Sequence, residues 1–196
     1  MNDPMLQVRQ NFQEARDVLD LFMSESQSWE SIEKAGNLMV EAIELGHKLI
    51  SCGNGGSMSD AMHFAEELSG RFRGDRRALP AIAISDPSHI TCSANDFGYE
   101  KVFSRFIEGL GRRGDVLFAI STSGNSGNVV EACKAAREQG MKIVALTGKN
   151  GGLLADLCDV EIRVPFFGFA DRVQEVHIKI IHSLIHLIEL KLNLSK

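Results

Sequence analysis

From about residue 47 onward, the chain alternates short apolar runs with longer helical stretches, and this alternation restricts the possible folds more than any other feature. Most of these runs are apolar at consecutive positions, as expected of strands that are buried on both faces. Such strands, separated by helices, indicate a parallel sheet with helices on either side. The predicted strands are 48–52, 81–85, 116–121, 142–147 and 160–164.

Helical spacing of apolar residues is found between these strands and also ahead of the first one. Residues 4–46 predict two amphipathic helices with a break near 24–28, and the last helix is apolar around much of its circumference. A subunit interface would cover that surface. The expected fold is an α/β three-layer sandwich with a central parallel sheet plus N-terminal helices. The other predicted helices are 57–68, 100–111, 126–139, 153–157 and 170–192.

Composition indicates one globular domain, 1–196, and excludes several functional classes. The formal net charge of −5 argues against binding nucleic acid or an anionic membrane, because either needs a basic surface. No apolar stretch approaches the roughly 20 residues of a membrane span, and the N-terminus lacks a signal-peptide pattern. We therefore expect a cytoplasmic protein. Its cysteines, which lack CxxC spacing, should be reduced and buried: Cys52, Cys92, Cys133 and Cys158.

Two loops rich in glycine and serine follow predicted strands and precede predicted helices. They are residues 52–57, Cys-Gly-Asn-Gly-Gly-Ser, and 121–126, Ser-Thr-Ser-Gly-Asn-Ser. Glycine lets the backbone approach a ligand, while hydroxyls and helix N-terminal amides donate to phosphate oxygens. Ser57 is expected to cap its helix, with Asp60 as its reciprocal partner. Either loop alone could be an ordinary turn, but two of them indicate a phosphate site, and neither matches a nucleotide-binding motif.

His63 and Glu67 lie four residues apart in the helix that follows the first loop. That spacing places both side chains on one face of the helix. Taken alone, His63 would be interpreted as a histidine packed against the sheet. Taken alone, Glu67 would be interpreted as part of a solvated helix face. Together, beside an anion loop, they indicate metal ligands or an acid/base pair. Glu66 points about 100° away and is the weaker candidate.

Five segments resemble the phosphoheptose isomerases, which belong to the sugar isomerase (SIS) domain family. The resemblance spans about residues 30–192 and implies a flavodoxin-like topology. It also implies a homotetramer with a sugar phosphate as its small-molecule partner. The matching segments are SCGNGGS at 51–57, DAMHFAEEL at 60–68, STSGNS at 121–126, LTGKNGG at 146–152 and RVQEVHI at 172–178.

The resemblance implies one zinc ion per subunit, held by His63, Glu67, Gln174 and His182. Gln174 and His182 are about 80° apart on a helix, so they can face one cleft. Glu67 and His182 are implied as the catalytic pair, and His177 and His186 are left as packing or surface residues.

The same resemblance implies the substrate contacts. Serines would hold the phosphate, and Asn95 with Asp96 would meet sugar hydroxyls. Asp171 is equally explained by the helix dipole, while Arg73, Arg76 and Arg77 are expected to be solvated. The implied contacts are Asn54, Gly55, Gly56, Ser57, Glu67, Arg71, Asn95, Asp96, Ser121, Thr122, Ser123, Ser126, Asp171 and Gln174.

The implied activity is conversion of D-sedoheptulose 7-phosphate to D-glycero-D-manno-heptose 7-phosphate, the first step of ADP-heptose precursor synthesis for the lipopolysaccharide core. A noncatalytic SIS-domain regulatory protein that binds a sugar phosphate or a replication initiator is the alternative. Isomerisation of another phosphosugar is a third reading. Glu67 and His182 favour an enzyme, because the noncatalytic relatives lack that pair.

Overall fold

A computed structural model describes residues 3–194 of the chain. Eight α-helices and five strands follow one another in the order that the sequence predicts, with one additional helix. The strands are β1 (Leu49–Gly53), β2 (Ala81–Ala83), β3 (Val116–Ser121), β4 (Lys142–Gly148) and β5 (Val160–Val164). The helices are α1 (Pro4–Ser24), α2 (Ser26–Glu44), α3 (Gly56–Ser69), α4 (Pro87–Phe97), α5 (Ser104–Leu110), α6 (Gly127–Glu138), α7 (Leu154–Leu157) and α8 (Ala170–Lys191).

All five strands are parallel, and their order in the sheet is β2-β1-β3-β4-β5. The chain leaves β1 for the edge strand β2 and then crosses to β3 on the other side of β1. The connections after β1 and β3 therefore diverge to opposite sides and open a crevice at the carboxyl edge of the sheet. The predicted α/β sandwich with a flavodoxin-like parallel sheet is confirmed.

The two faces of the sheet build two separate apolar cores. Phe118 and Ile120 of β3 point toward α1, α2, α3 and α8, whereas Leu117 and Ala119 point toward α5 and α6. All four side chains are fully buried. This two-sided burial explains the unbroken apolar runs, because alternation of apolar and polar residues requires one solvated face.

Helix α8 is covered by its own chain. Seven of its apolar residues are buried against α1, α2 and α3 within the first core. Gly36 of α2 lets Leu187 of α8 approach closely, because a Cβ there would overlap that side chain. The apolar circumference of α8 therefore does not by itself require a subunit interface. Between residues 3 and 194, no helix is both long and apolar enough to cross a membrane.

His177 of α8 is a packing residue, in agreement with the sequence analysis. Its side chain is fully buried, and Nε2 lies 2.9 Å from the carbonyl oxygen of Thr147 at the end of β4. Burial lowers the pKa of His177 to about 4. A neutral imidazole therefore joins α8 to the sheet.

Helix α4 is absent from the sequence prediction. Its start carries a clear signal, because Asp86 accepts a hydrogen bond from the amide of His89 and Pro87 occupies the first turn. Only Ser93 of this helix is buried, so apolar spacing could not reveal it. The predicted helix 100–111 is instead a 3₁₀ turn, Tyr99–Lys101, followed by α5.

Cys92 lies on α4 and is exposed, so the expectation that all four cysteines are buried is wrong for this residue. Cys52 and Cys133 are buried and Cys158 is partly buried, and all four are free thiols. The flanking apolar residues of Cys92 suggested a strand or a core helix. The helix actually turns this position toward solvent.

Candidate active site

The two glycine-serine loops meet at the carboxyl edge of the sheet. β1 leads into α3, and the neighbouring strand β3 leads into α6. The diverging connections of β1 and β3 bracket the crevice in which ligands of open parallel sheets bind. Both predicted anion loops therefore line one cleft.

The first loop turns at Gly55, whose φ of 55° lies in the left-handed region that favours glycine. At Gly56 a Cβ would come 2.5 Å from Nε2 of Gln174, so only glycine leaves room for that side chain. Within residues 3–194, no side chain caps the N-terminus of α3. Its positive dipole end is therefore available to an anion.

The expected cap by Ser57 is wrong. The helix begins earlier, with Gly55 as its N-cap residue, so Ser57 lies buried in the first turn, and its amide donates to the carbonyl oxygen of Asn54. Asp60 is not the reciprocal capping partner of Ser57, because Oδ2 of Asp60 is buried without a hydrogen-bond partner among the described residues. Burial raises the pKa of Asp60 to about 6.

The second loop clusters hydroxyl groups. Oγ of Ser121 lies 3.0 Å from Oγ of Ser126, and Ser123 accepts a hydrogen bond from the amide of Asn125. Gly124 adopts a φ of 66° and packs directly on the carbonyl of Gly151. The segment 146–152 therefore packs against the second loop and supports its conformation. This contact gives that segment a structural role at the site.

A network of side chains ties the two loops together. Asn54 and Asn128 exchange two amide hydrogen bonds of 2.8 Å, and the hydroxyl of Tyr99 donates to Oδ1 of Asn54 at 3.0 Å. Sequence reasoning missed Asn128 and Tyr99. The one available signal was a polar residue, Asn128, in the first turn of α6, and it does not identify a partner 74 residues away.

His63, Glu67 and His182 converge between α3 and α8. Nε2 of His63 lies 2.9 Å from Nε2 of His182 and 3.6 Å from Oε1 of Glu67. The side chains of His63 and Glu67 are 33% and 18% exposed, so the cluster is open to a ligand on one side. The structure therefore joins residues that are 119 positions apart in sequence.

These distances fit a bound zinc ion. Ligand atoms about 2.0–2.2 Å from a tetrahedral zinc lie on the order of 3.3 Å from each other, close to the observed separations. Oε1 of Glu66 lies 3.1 Å from Nδ1 of His63, on the side of the ring away from His182. Glu66 therefore orients the histidine, as a carboxylate behind a metal-ligating imidazole commonly does.

His182 is held between two rings. The ring of Phe72 lies 5.6 Å from it, centroid to centroid, and the ring of His63 lies 5.0 Å away in an edge-on arrangement. Burial, followed by the charge of His63, lowers the pKa of His182. A neutral imidazole can accept a proton or bind a metal.

Comparisons with known proteins agree with this geometry. The sequence pattern of the SIS domain family matches residues 10–148. A phosphoheptose isomerase of Vibrio cholerae is 59% identical over 182 residues, which cover 93% of this chain and 95% of the relative. The chain belongs to the phosphoheptose isomerases of the SIS domain family. A relative of that name from Proteus mirabilis is also 59% identical, with the same coverage.

Solved structures of this family have the same fold. A phosphoheptose isomerase from Neisseria gonorrhoeae superposes with a TM-score of 0.90 at 39% identity, covering 96% of this chain and all of that one. A phosphoheptose isomerase from Francisella tularensis gives 0.91 at 32% identity, with the same coverage. The whole fold, and not only the sheet, is therefore shared with the phosphoheptose isomerases.

The structure shows the local surroundings of the remaining predicted site residues. The side chain of Gln174 lies beside Gly56 of the first loop. Asn95 and Asp96 are exposed on α4 and bond to each other, and Arg71 is exposed beyond the end of α3. Asp171 is exposed, and its hydrogen bond to Arg172 lowers its pKa. The predicted roles of these residues stay predictions.

Arg76 contradicts the sequence analysis, which expected a solvated side chain. It is 2% exposed and pairs with the equally buried Glu189 of α8 at 2.7 Å. A run of four arginines within seven residues suggests a solvated surface, and only the tertiary fold distinguishes the buried member from the others.

Proposed function

We propose that the protein converts D-sedoheptulose 7-phosphate to D-glycero-D-manno-heptose 7-phosphate by aldose–ketose isomerisation. The observation that carries this proposal is the convergence of Glu67 and His182 on His63, beside two loops suited to phosphate. The curated relatives at 59% identity are named phosphoheptose isomerases, which favours the enzyme over a noncatalytic regulatory SIS protein.

The reaction moves one proton between carbons and one between oxygens. Glu67 takes a proton from C1 of the open-chain ketose, which leaves an enediolate, and returns a proton to C2. His182 moves a proton from the oxygen on C1 to the oxygen on C2. The carbonyl at C2 thereby becomes a hydroxyl, and a carbonyl forms at C1. General acid–base catalysis needs a base and an acid in reach of one substrate, which this pair supplies.

The second loop and the start of α6 hold the phosphate. Ser121, Ser123 and Ser126 offer hydroxyl donors, and within the described residues no side chain caps α6. A phosphate at this helix end would receive backbone amides and the favourable helix dipole. The reacting carbons would then extend toward α3 and α8.

We propose that one zinc ion per subunit is held by His63, Glu67, Gln174 and His182. The separations of 2.9 and 3.6 Å among three of the donor atoms support this set. When bound there, such an ion would supply Lewis-acid stabilisation of negative charge on the substrate oxygens. Gln174 is the least usual of these ligands, and its position beside Gly56 favours a role at the edge of the cluster.

The cytoplasm is the proposed compartment, and the lipopolysaccharide core the proposed destination of the product. The four free cysteines support a reducing environment. Sedoheptulose 7-phosphate is a phosphorylated metabolite, and such compounds are made and kept inside the cell.

We also propose a homotetramer in which neighbouring subunits complete the active sites. The support comes from exposed apolar side chains: Phe12 on α1 is 76% exposed, and Phe167 and Phe169 just before α8 are 71% and 80% exposed. Helices α1 and α8 are in contact, and large exposed aromatic residues on or just before them favour an association surface there.

Loss of either catalytic group should abolish most of the turnover. Glu67→Gln and His182→Gln should each lower kcat by at least about 100-fold, because each removes a proton-transferring group. Coupled assays with sedoheptulose 7-phosphate measure this, with Glu138→Gln at the exposed end of α6 as control. Near wild-type turnover in both variants would refute the assignment.

Metal content tests the zinc site. Protein purified without chelator should contain about one zinc per chain, and the double variant His63→Ala, His182→Ala should lose it, because two nitrogen ligands are removed. His47→Ala, at the opposite edge of the sheet, should keep its zinc. Elemental analysis showing unchanged zinc in the double variant would exclude these ligands.

The assembly is tested by placing a charge on the apolar surface. Phe12→Glu should shift the light-scattering mass from a tetramer to smaller species and reduce activity in parallel, since a buried unpaired charge is costly. Leu110→Glu, on the other face of the sheet, should leave the tetramer intact. A fully active monomer at assay concentration would contradict both the assembly and the shared site.

A further inference from the structure

Residues 70–77, which follow α3 and precede β2, run along one face of α8. We call this segment the strap. The ring of Phe72 packs on His182, Nη1 of Arg73 lies 3.5 Å from Nδ1 of His186, and Arg76 pairs with Glu189. The three partners on α8 are spaced by four and three residues, which places them on one side of the helix. The strap therefore follows the helix stripe that contains His182.

Arg76 also binds the end of α3. Its Nη2 donates to the carbonyl oxygen of Glu67 at 2.6 Å, and Nη1 donates to the carbonyl oxygens of Leu68 and Gly70 at 2.8 Å. The last carbonyls of a helix have no partners within the helix. One buried guanidinium thus caps the turn that carries Glu67 and, through Glu189, fastens that turn to α8.

Phe72 contacts the N-terminal end of the same stripe of α8, at His182. Its ring is tilted by 31° relative to that of His182, and the guanidinium of Arg73 lies 5.2 Å from the centroid of the Phe72 ring. His182 is therefore packed by Phe72 and by His63. This packing restricts rotation of the imidazole and keeps Nε2 directed at His63.

We propose that the strap sets the relative position of Glu67 and His182, and that Phe72 and Arg76 are positioning residues for the isomerisation. The inference rests on the function proposed above. Displacing a catalytic group by about 1 Å can cost on the order of 100-fold in rate. A buried ion pair is weak evidence for stability, because apolar replacements of similar volume are often as stable. A role in positioning the two helices therefore explains the buried pair of Arg76 and Glu189 better than a contribution to stability does.

A double-variant cycle separates position from stability. Arg76→Met and Glu189→Gln should each lower Tm, because each leaves a buried polar partner unmatched, and the combination should recover part of the loss. The kcat of the double variant should nevertheless stay at least about tenfold below wild type, with KM within about threefold, because the geometry of the pair is lost. Arg77→Met, the neighbouring exposed arginine, is the matched control.

A kcat in the double variant within about threefold of wild type would overturn the proposal, whatever its Tm. An independent variant keeps the test decisive if the double variant does not fold. Phe72→Leu should lower kcat about tenfold, whereas Phe103→Leu, which removes a fully buried ring from the other core, should lower Tm without a comparable loss of kcat.

Affinity for zinc alone gives a readout besides activity. Competition with a chromophoric chelator should show weaker zinc binding by about tenfold in Phe72→Leu, as expected when a supporting residue of a ligand is removed, and no change in Phe103→Leu. Equal kcat and zinc affinity in the two variants would refute the positioning role. Wild-type protein inactive on sedoheptulose 7-phosphate would refute the proposed function instead.

Discussion

The packing of α3 against α8 is the interaction on which the candidate site depends. Each helix contributes one member of the proposed acid/base pair, and neither helix alone holds a complete set of ligands. Close approach is possible because Gly56 has no side chain where Gln174 lies. The 2.9 Å separation of the two histidine nitrogens follows from this contact. A larger residue at the start of α3 would separate the helices and disperse the site.

The sheet supplies the second requirement, a place for the phosphate near that pair. Adjacent parallel strands with diverging connections leave a crevice at their carboxyl edge. Here the crevice receives two helix N-termini without side-chain caps among the described residues, and the reciprocal amides of Asn54 and Asn128 hold the two loops together. The groups proposed for anion binding and for proton transfer are thereby brought to neighbouring positions of one cleft.

Features with a local signature were predictable from the sequence. The inner strands β1, β3 and β4 are apolar on both faces, whereas Glu161 and Arg163 interrupt the apolar residues of the edge strand β5. β3 and β5 begin and end as predicted. The pair His63 and Glu67 follows from helix periodicity, and the loops follow from glycine and serine. The contact of this pair with His182 was implied by resemblance, because helical spacing cannot place residues 119 positions apart.

What the sequence could not reveal depends on distant partners. Arg76 looks like its exposed neighbours until Glu189, 113 residues later, is placed beside it. The apolar circumference of α8 predicts burial but not whether the cover comes from its own chain, as α1, α2 and α3 provide, or from another subunit. Helix α4 buries only one residue, so it leaves no apolar period to detect.

The central claim is that protein groups carry a proton between adjacent carbons of the substrate. The direct measurement is conversion of sedoheptulose 7-phosphate in D₂O, followed by NMR of the product. A proton shuttle through an ionisable carboxylate exchanges with solvent, so deuterium should accumulate at C2 over many turnovers. A product formed at the normal rate with no solvent deuterium at C2, as direct hydride transfer would give, would contradict a shuttle through an exchanging carboxylate.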